Sequence, residues 1–218
     1  ELLMDDFDEG TVDFHYKLIL VGSSQVGKTS ITNRYVEDTF CEEERRSRQV
    51  QVSHKIFTIP NTGKVVDLNI WDTLGQEKFQ SIAKIFFRGT VGAFLVFDLS
   101  NKTSFQEIEQ WLKISNESCD SHVIKTLVGN KCDLPNREVA YDEAMEFAQT
   151  NGMNYMEVSA KTGQNVSNIF QLIAAEVFRL KNGTTDEGYF NQAPRDGESK
   201  SILRKGSQPK KKRKGCCK

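Results

Sequence analysis

The segment Gly22-Ser23-Ser24-Gln25-Val26-Gly27-Lys28-Thr29 fits the spacing G-x-x-x-x-G-K-[ST]. Successive backbone N–H groups in such a loop form an anion-binding nest, and a helix starting at its end adds partial positive charge. Lys28 then bridges β- and γ-phosphates, and the Thr29 hydroxyl ligates Mg²⁺. The bland alternative is a glycine turn before a helix. The apolar run Tyr16 to Val21, leading straight into Gly22, gives the strand–loop–helix context that favours phosphate. This motif alone does not separate nucleotide hydrolases from nucleotide kinases.

Further on, Asp72-Thr73-Leu74-Gly75-Gln76-Glu77 follows a strand-like run ending at Trp71. A carboxylate at a strand end can hold Mg²⁺ through water. Gly75 lets a backbone N–H reach the γ-phosphate, and Gln76 can orient a water for in-line attack. The stretch Asn130-Lys131-Cys132-Asp133 addresses the base. A carboxylate accepts two hydrogen bonds from the N1–H and exocyclic amine of guanine, and adenine has no such donor pair. The aliphatic stem of Lys131 can cover the base plane. Ser159-Ala160-Lys161 closes a later strand, where the Ala160 N–H is placed for the guanine O6.

These residues need an alternating frame to hold them. Strands are expected at Tyr16–Val21, Val50–Ile59, Lys64–Trp71, Val91–Asp98, His122–Asn130 and Tyr155–Val158. Helices are expected at Lys28–Glu37, through Phe105, Ile108, Trp111 and Leu112, at Tyr141–Thr150 and at Val166–Leu180. Ser104 to Glu107 has capping-box spacing, and Pro60-Asn61-Thr62-Gly63 is turn chemistry. Strands alternating with helices predict one α/β domain. Its expected core is a doubly wound, mostly parallel six-stranded sheet with one antiparallel edge strand from the hairpin.

The chain has 218 residues, of which 38% are hydrophobic and 27% charged, enough for one such domain with tails. No apolar run nears the roughly 20 residues that span a bilayer. Residues 1–13 read as an acidic tail, 14–181 as the domain, and 182–218 as a disordered basic tail. The net charge of −1 hides this asymmetry. Five cysteines without framework spacing, and no secretory leader, predict a reducing compartment.

In order along the chain, KLILVGSSQVGKTS, LNIWDTLGQEKF, FFRGT, LVFDLSNKTSF, VGNKCDL and EVSAKTG resemble segments of the Ras superfamily of small GTPases, and within it the Rab family. The resemblance covers about Phe14 to Leu180 and implies a small G domain. It implies a switch that cycles between GDP and GTP with Mg²⁺, is prenylated, and recruits effectors to membranes in its GTP form. It implies the further partners of such a switch: an exchange factor, a GTPase-activating protein, a prenylation escort and a GDP-dissociation inhibitor. A monomer without nucleic-acid binding is expected. By the same resemblance the residues from Ser24 to Ser30 wrap the phosphates, Phe40 packs against guanine, and Ser47 is the switch I hydroxyl that closes on Mg²⁺. Trp71 and Phe86 match two of three aromatics on the effector face. Switch I departs from the family: EEERRSRQVQV replaces its usual pattern, Glu44 stands where an aromatic covers the phosphates, and the third aromatic has no clear match. Leu74 replaces a small residue beside the γ-phosphate, and Gln25 is bulky for its loop.

Pro209 to Lys214 has the composition of a nuclear import signal and also of a patch for an anionic leaflet. Beside it stand Cys216 and Cys217. A basic cluster plus lipid supplies the two signals that stable anchoring needs, whereas a CaaX site is excluded because Gly215 is fourth from the end. The expectation is therefore geranylgeranylation of both cysteines and residence in the cytosol and on the cytoplasmic face of an intracellular membrane. The alternatives kept open are a GTP-binding adaptor with little hydrolysis, suggested by switch I, and a P-loop nucleotide kinase or ATPase, disfavoured by NKCD and SAK.

Overall fold

The computed structural model describes residues 12–42, 50–73, 85–120 and 122–182. Its elements are β1 (Phe14–Val21), α1 (Lys28–Glu37), β2 (Gln51–Ile59), β3 (Lys64–Asp72), β4 (Gly92–Asp98), α2 (Lys102–Gln106), α3 (Ile108–Ser118), β5 (Ile124–Asn130), α4 (Tyr141–Thr150), β6 (Asn154–Glu157) and α5 (Val166–Asn182). The six strands lie in the order β2-β3-β1-β4-β5-β6. Only β2 and β3 run antiparallel, and every other pair is parallel. The expected α/β architecture, with one antiparallel edge strand, is the observed one.

Hydrophobic patterning explains the layers. β4 is buried at every position, as a central strand covered on both faces must be. One apolar cluster lies between the sheet and helices α1 and α5, through Leu18, Leu20, Ile31, Phe94, Phe170 and Ile173. The other lies on the opposite face, where Ile19, Leu95, Phe97, Trp111 and Ala144 bring in α3 and α4. The two faces separate because alternate residues of β1 point to opposite sides. The hairpin turns through Asn61 and Gly63, both at positive φ, as its composition predicted. Strand ends moved by a residue or two from the expected spans, and His122 and Val123 fall outside β5. The capping box also differs. Asn101 is the cap, its side chain accepting from the Ser104 N–H, while Glu107 marks a break between α2 and α3. Among the described residues, no helix is long and apolar enough to cross a membrane.

Candidate functional site

The phosphate loop, Asp72, the 130–133 stretch and the 159–161 stretch all come to the C-terminal ends of the parallel strands, where ligands bind in open α/β sheets. The loop at 22–27 leaves β1 and enters α1. Gly22 has φ 145° and Gly27 φ 93°, so both occupy backbone that favours glycine. Space is as tight as conformation: a Cβ on Gly22 would collide with the Val96 carbonyl, and one on Gly27 with the Asn130 side chain. Gln25 also has positive φ, at 66°, so this bulky residue sits in a conformation that costs an L side chain energy. Ser23 Oγ donates to Glu107 Oε2, which ties the loop to the α2–α3 break.

Lys28 is only 5% exposed. Its Nζ donates to Gly22 O at 2.9 Å and Ser23 O at 2.8 Å, so the ammonium is folded over its own loop. Burial pushes it from 10.5 down to about 8, with the Asp72 charge acting the other way. An anion entering the loop would favour the charged form of this lysine. Beside it, Thr29 Oγ1 donates to Asp72 Oδ2 at 2.5 Å, and Asp72 is 2% exposed. A hydroxyl and a carboxylate meeting at the ends of α1 and β3 are hard oxygen donors of the kind Mg²⁺ takes. Among the described residues no group of three His, Cys, Asp or Glu could hold a metal unaided. Mg²⁺ is typically bound through one or two protein oxygens together with water and phosphate.

At the base end, Asn130 is 1% exposed and bridges the site. Its Nδ2 donates to Val26 O at 2.8 Å, and its Oδ1 accepts from the Ala160 N–H at 3.2 Å. Asn130 therefore knits three loops together. The Ala160 N–H, expected to be open for a purine carbonyl, is engaged by this bond. Lys131 has φ 64°, and its Nζ pairs with Asp98 Oδ2 at 2.6 Å. Asp133 is exposed, and its Oδ1 accepts from Ser159 Oγ at 2.6 Å. Ser159 is fully buried, while Lys161 is exposed and pairs with Glu42 at 3.0 Å. Phe40 is half-buried and packs on the core cluster beside α1. Trp71 and Phe86 meet with ring centroids 6.2 Å apart, and Lys17 Nζ lies 4.0 Å above the Trp71 ring. On the same face of the hairpin, β2 presents Val52 and His54 opposite Trp71 and Asn69.

Gln76, Gly75, Leu74, Ser47, Glu44, Cys216 and Cys217 lie outside the described residues. Three contributors escaped the sequence reading: Arg34, Asp98 and Glu107. Asp98 lies in the segment LVFDLSNKTSF and Glu107 in the capping-box spacing, but each of the three acts on a residue distant in the chain, so local spacing carried no signal for these contacts.

The sequence model of the Ras family matches residues 17–179. The chain is 33% identical over 209 residues to the Ras-related protein RABA2a of Arabidopsis thaliana, covering 94% of both. It is 35% identical over 210 residues to the Ras-related protein YPT3 of Nicotiana plumbaginifolia, again covering 94% of both. It is 36% identical over 183 residues to the Ras-related protein Rab-13 of Canis lupus familiaris, covering 84% of this chain and 89% of that one. These matches retire the kinase and ATPase alternatives, and with the nucleotide-site geometry they lead to one assignment: the chain belongs to the Ras family, as a Rab-like small GTPase that hydrolyses GTP and serves vesicle traffic.

Proposed function

We propose that the strand-end cleft holds the guanine nucleotide with its phosphates over residues 22–30 and its base between Asp133 and the 159–161 loop. The observation that carries this is that buried Asn130 ties the phosphate loop at Val26 to the 159–161 loop, while Thr29 at the start of α1, beside Lys28, bonds Asp72 at the end of β3. Loop amides and Lys28 bind the β- and γ-phosphates, with Lys28 exchanging its loop carbonyls for phosphate oxygens. Thr29 and Asp72 hold Mg²⁺, with Ser47 joining them in the GTP form. Held by these residues, Mg²⁺ would supply neutralisation of phosphate charge. The Gly75 N–H meets the γ-phosphate, and Gln76 orients the attacking water. Intrinsic turnover is slow until a partner supplies an arginine, which in Ras is worth about 10⁵-fold. Asp133 accepts from guanine, the Lys131 stem and Phe40 flank the base, and the Ala160 N–H exchanges Asn130 for O6.

The remaining parts of the cycle follow from the tail and the family. Cys216 and Cys217 carry prenyl groups and the run Lys210 to Lys214 adds attraction to anionic lipid, so the protein works on the cytoplasmic face of an intracellular membrane. An exchange factor, an activating protein, effectors, an escort and a dissociation inhibitor act on it in turn.

Competition of GTP, XTP and ATP for the purified protein tests the site. The wild type should prefer GTP, and Asp133→Asn should shift that preference toward XTP. Equal ATP and GTP binding would defeat the assignment. Gln76→Leu should slow hydrolysis and leave GTP affinity intact. Changing both Cys216 and Cys217 to Ser should move the protein from membranes to cytosol with nucleotide binding unchanged, and wild type concentrated in the nucleus would reject the anchor.

A further inference from the structure

Arg34 lies on α1, outside every nucleotide motif, with a side chain 18% exposed. Its guanidinium reaches across to the base loop: Nε donates to Ala160 O at 2.9 Å and Nη2 to Lys161 O at 3.0 Å. The remaining arm, Nη1, donates to Asp38 O and to Asp38 Oδ1, both at 2.9 Å. A rigid planar fork that grips two consecutive carbonyls fixes the planes of both peptide units, which a flexible point charge would not do.

In a trans peptide the N–H points opposite to the C=O. With the Ala160 carbonyl on Arg34, the Lys161 N–H is turned away from α1, and among the described residues it makes no hydrogen bond. With the Lys161 carbonyl also on Arg34, the Thr162 N–H is turned the same way and donates to Ser159 Oγ at 3.0 Å. Ser159 Oγ, having accepted there, directs its own proton to Asp133 Oδ1 at 2.6 Å. A continuous relay thus runs from α1 to the carboxylate that addresses the base.

We infer that Arg34 is a positioning residue for base recognition: it aims the Lys161 N–H and, through Thr162 and Ser159, sets the Asp133 carboxylate. This rests on the guanine reading above. The same guanidinium holds Asp38 in its left-handed conformation, φ 54°, so the base loop and the chain leaving α1 toward Phe40 share one anchor.

The test measures the affinities of GDP, IDP and ADP for the full chain, with Arg34→Ala and Arg34→Lys beside the wild type. IDP keeps O6 and N1–H but lacks the exocyclic amine, so the GDP-to-IDP ratio reads the bond to Asp133. Arg34→Ala should weaken GDP about tenfold, the worth of hydrogen bonds to a charged group, and bring the ratio down toward one. Hydrogen exchange at the Thr162 amide should speed up in the same variant. Arg34→Lys can reach only one carbonyl, so it should fall between the two while melting near the wild-type temperature. A wild type that prefers GDP to ADP, combined with variants that keep the wild-type ratio and Thr162 protection, overturns the inference alone. A variant that loses thermal stability but keeps the ratio also overturns it, because Arg34 would then be only a staple. If Arg34→Ala does not fold, the Arg34→Lys ratio decides in the same way. A wild type that does not distinguish GDP from ADP overturns the guanine reading and this inference with it.

Discussion

The phosphate loop is one uninterrupted stretch, residues 22–29, whose proposed ligand-facing groups are its own backbone amides and Lys28. The base end draws on residues 130–133, the loop at 159–162 and Arg34 on a helix, joined by side-chain hydrogen bonds through Asn130, Ser159 and the guanidinium. The first region is limited by backbone space and conformation, since its two glycines stand against Val96 and Asn130 at positive φ. The second is limited by the survival of several individual bonds. The difference teaches that damage at the phosphate end should be abrupt, whereas damage at the base end should be graded and should show in selectivity before it shows in stability.

The largest effect expected from that contrast is Gly22→Ala. The new methyl meets backbone at Val96, which cannot rotate away, and φ 145° is hostile to a side chain. The cost should be about 3 kcal/mol or more of unfolding free energy, read from urea denaturation. A wild-type midpoint would show that the loop yields and that the contrast is wrong. Asn130→Ala comes next. It removes the bonds to Val26 O and from the Ala160 N–H, leaving both groups buried. A loss of about 2 kcal/mol is expected, together with faster GDP release measured by nucleotide exchange.

A smaller effect concerns pH and belongs to the phosphate end. The folded Lys28 ammonium titrates near 8 and the unfolded one near 10.5. Between those values the unfolded chain holds more protons, so the contribution of this group to stability rises with pH across that window, and below about pH 8 it is constant. Nucleotide-free wild type should gain on the order of 1–2 kcal/mol from pH 8 to pH 10 relative to Lys28→Met. Parallel pH profiles for the two proteins would contradict the buried, loop-bound lysine. Bound nucleotide should remove the difference, because phosphate keeps Lys28 charged. The smallest effect is Glu42→Gln. Its partner Lys161 is exposed, and solvent screens the pair. Stability should not change measurably, so a marked loss would give the base end a second anchor beside Arg34.

The local chemistry was legible in the sequence. Two glycines, a lysine and a threonine at fixed spacing after an apolar run specify a phosphate loop because each acts within a few residues of its neighbours. The same holds for α1, whose limits Lys28 and Glu37 were read correctly, and for the hairpin turn at Asn61 and Gly63. The alternation of strands with helices was enough to predict the sheet, since burial on two faces leaves few other arrangements.

Other features depended on the fold. That Asn130 ties loops together, and that the Ala160 N–H is engaged by it, follows from parallel pairing of β5 with β6 beside β4, which brings these loops together. The depressed Lys28 titration needs the burial that closure of α1 onto the sheet creates. The grip of Arg34 on Ala160 and Lys161 spans 126 and 127 residues of chain. A hydrogen bond of that range leaves no periodicity or spacing in the sequence, because only the packing of α1 and the 159–162 loop at neighbouring strand ends brings its donor and acceptors within 3 Å.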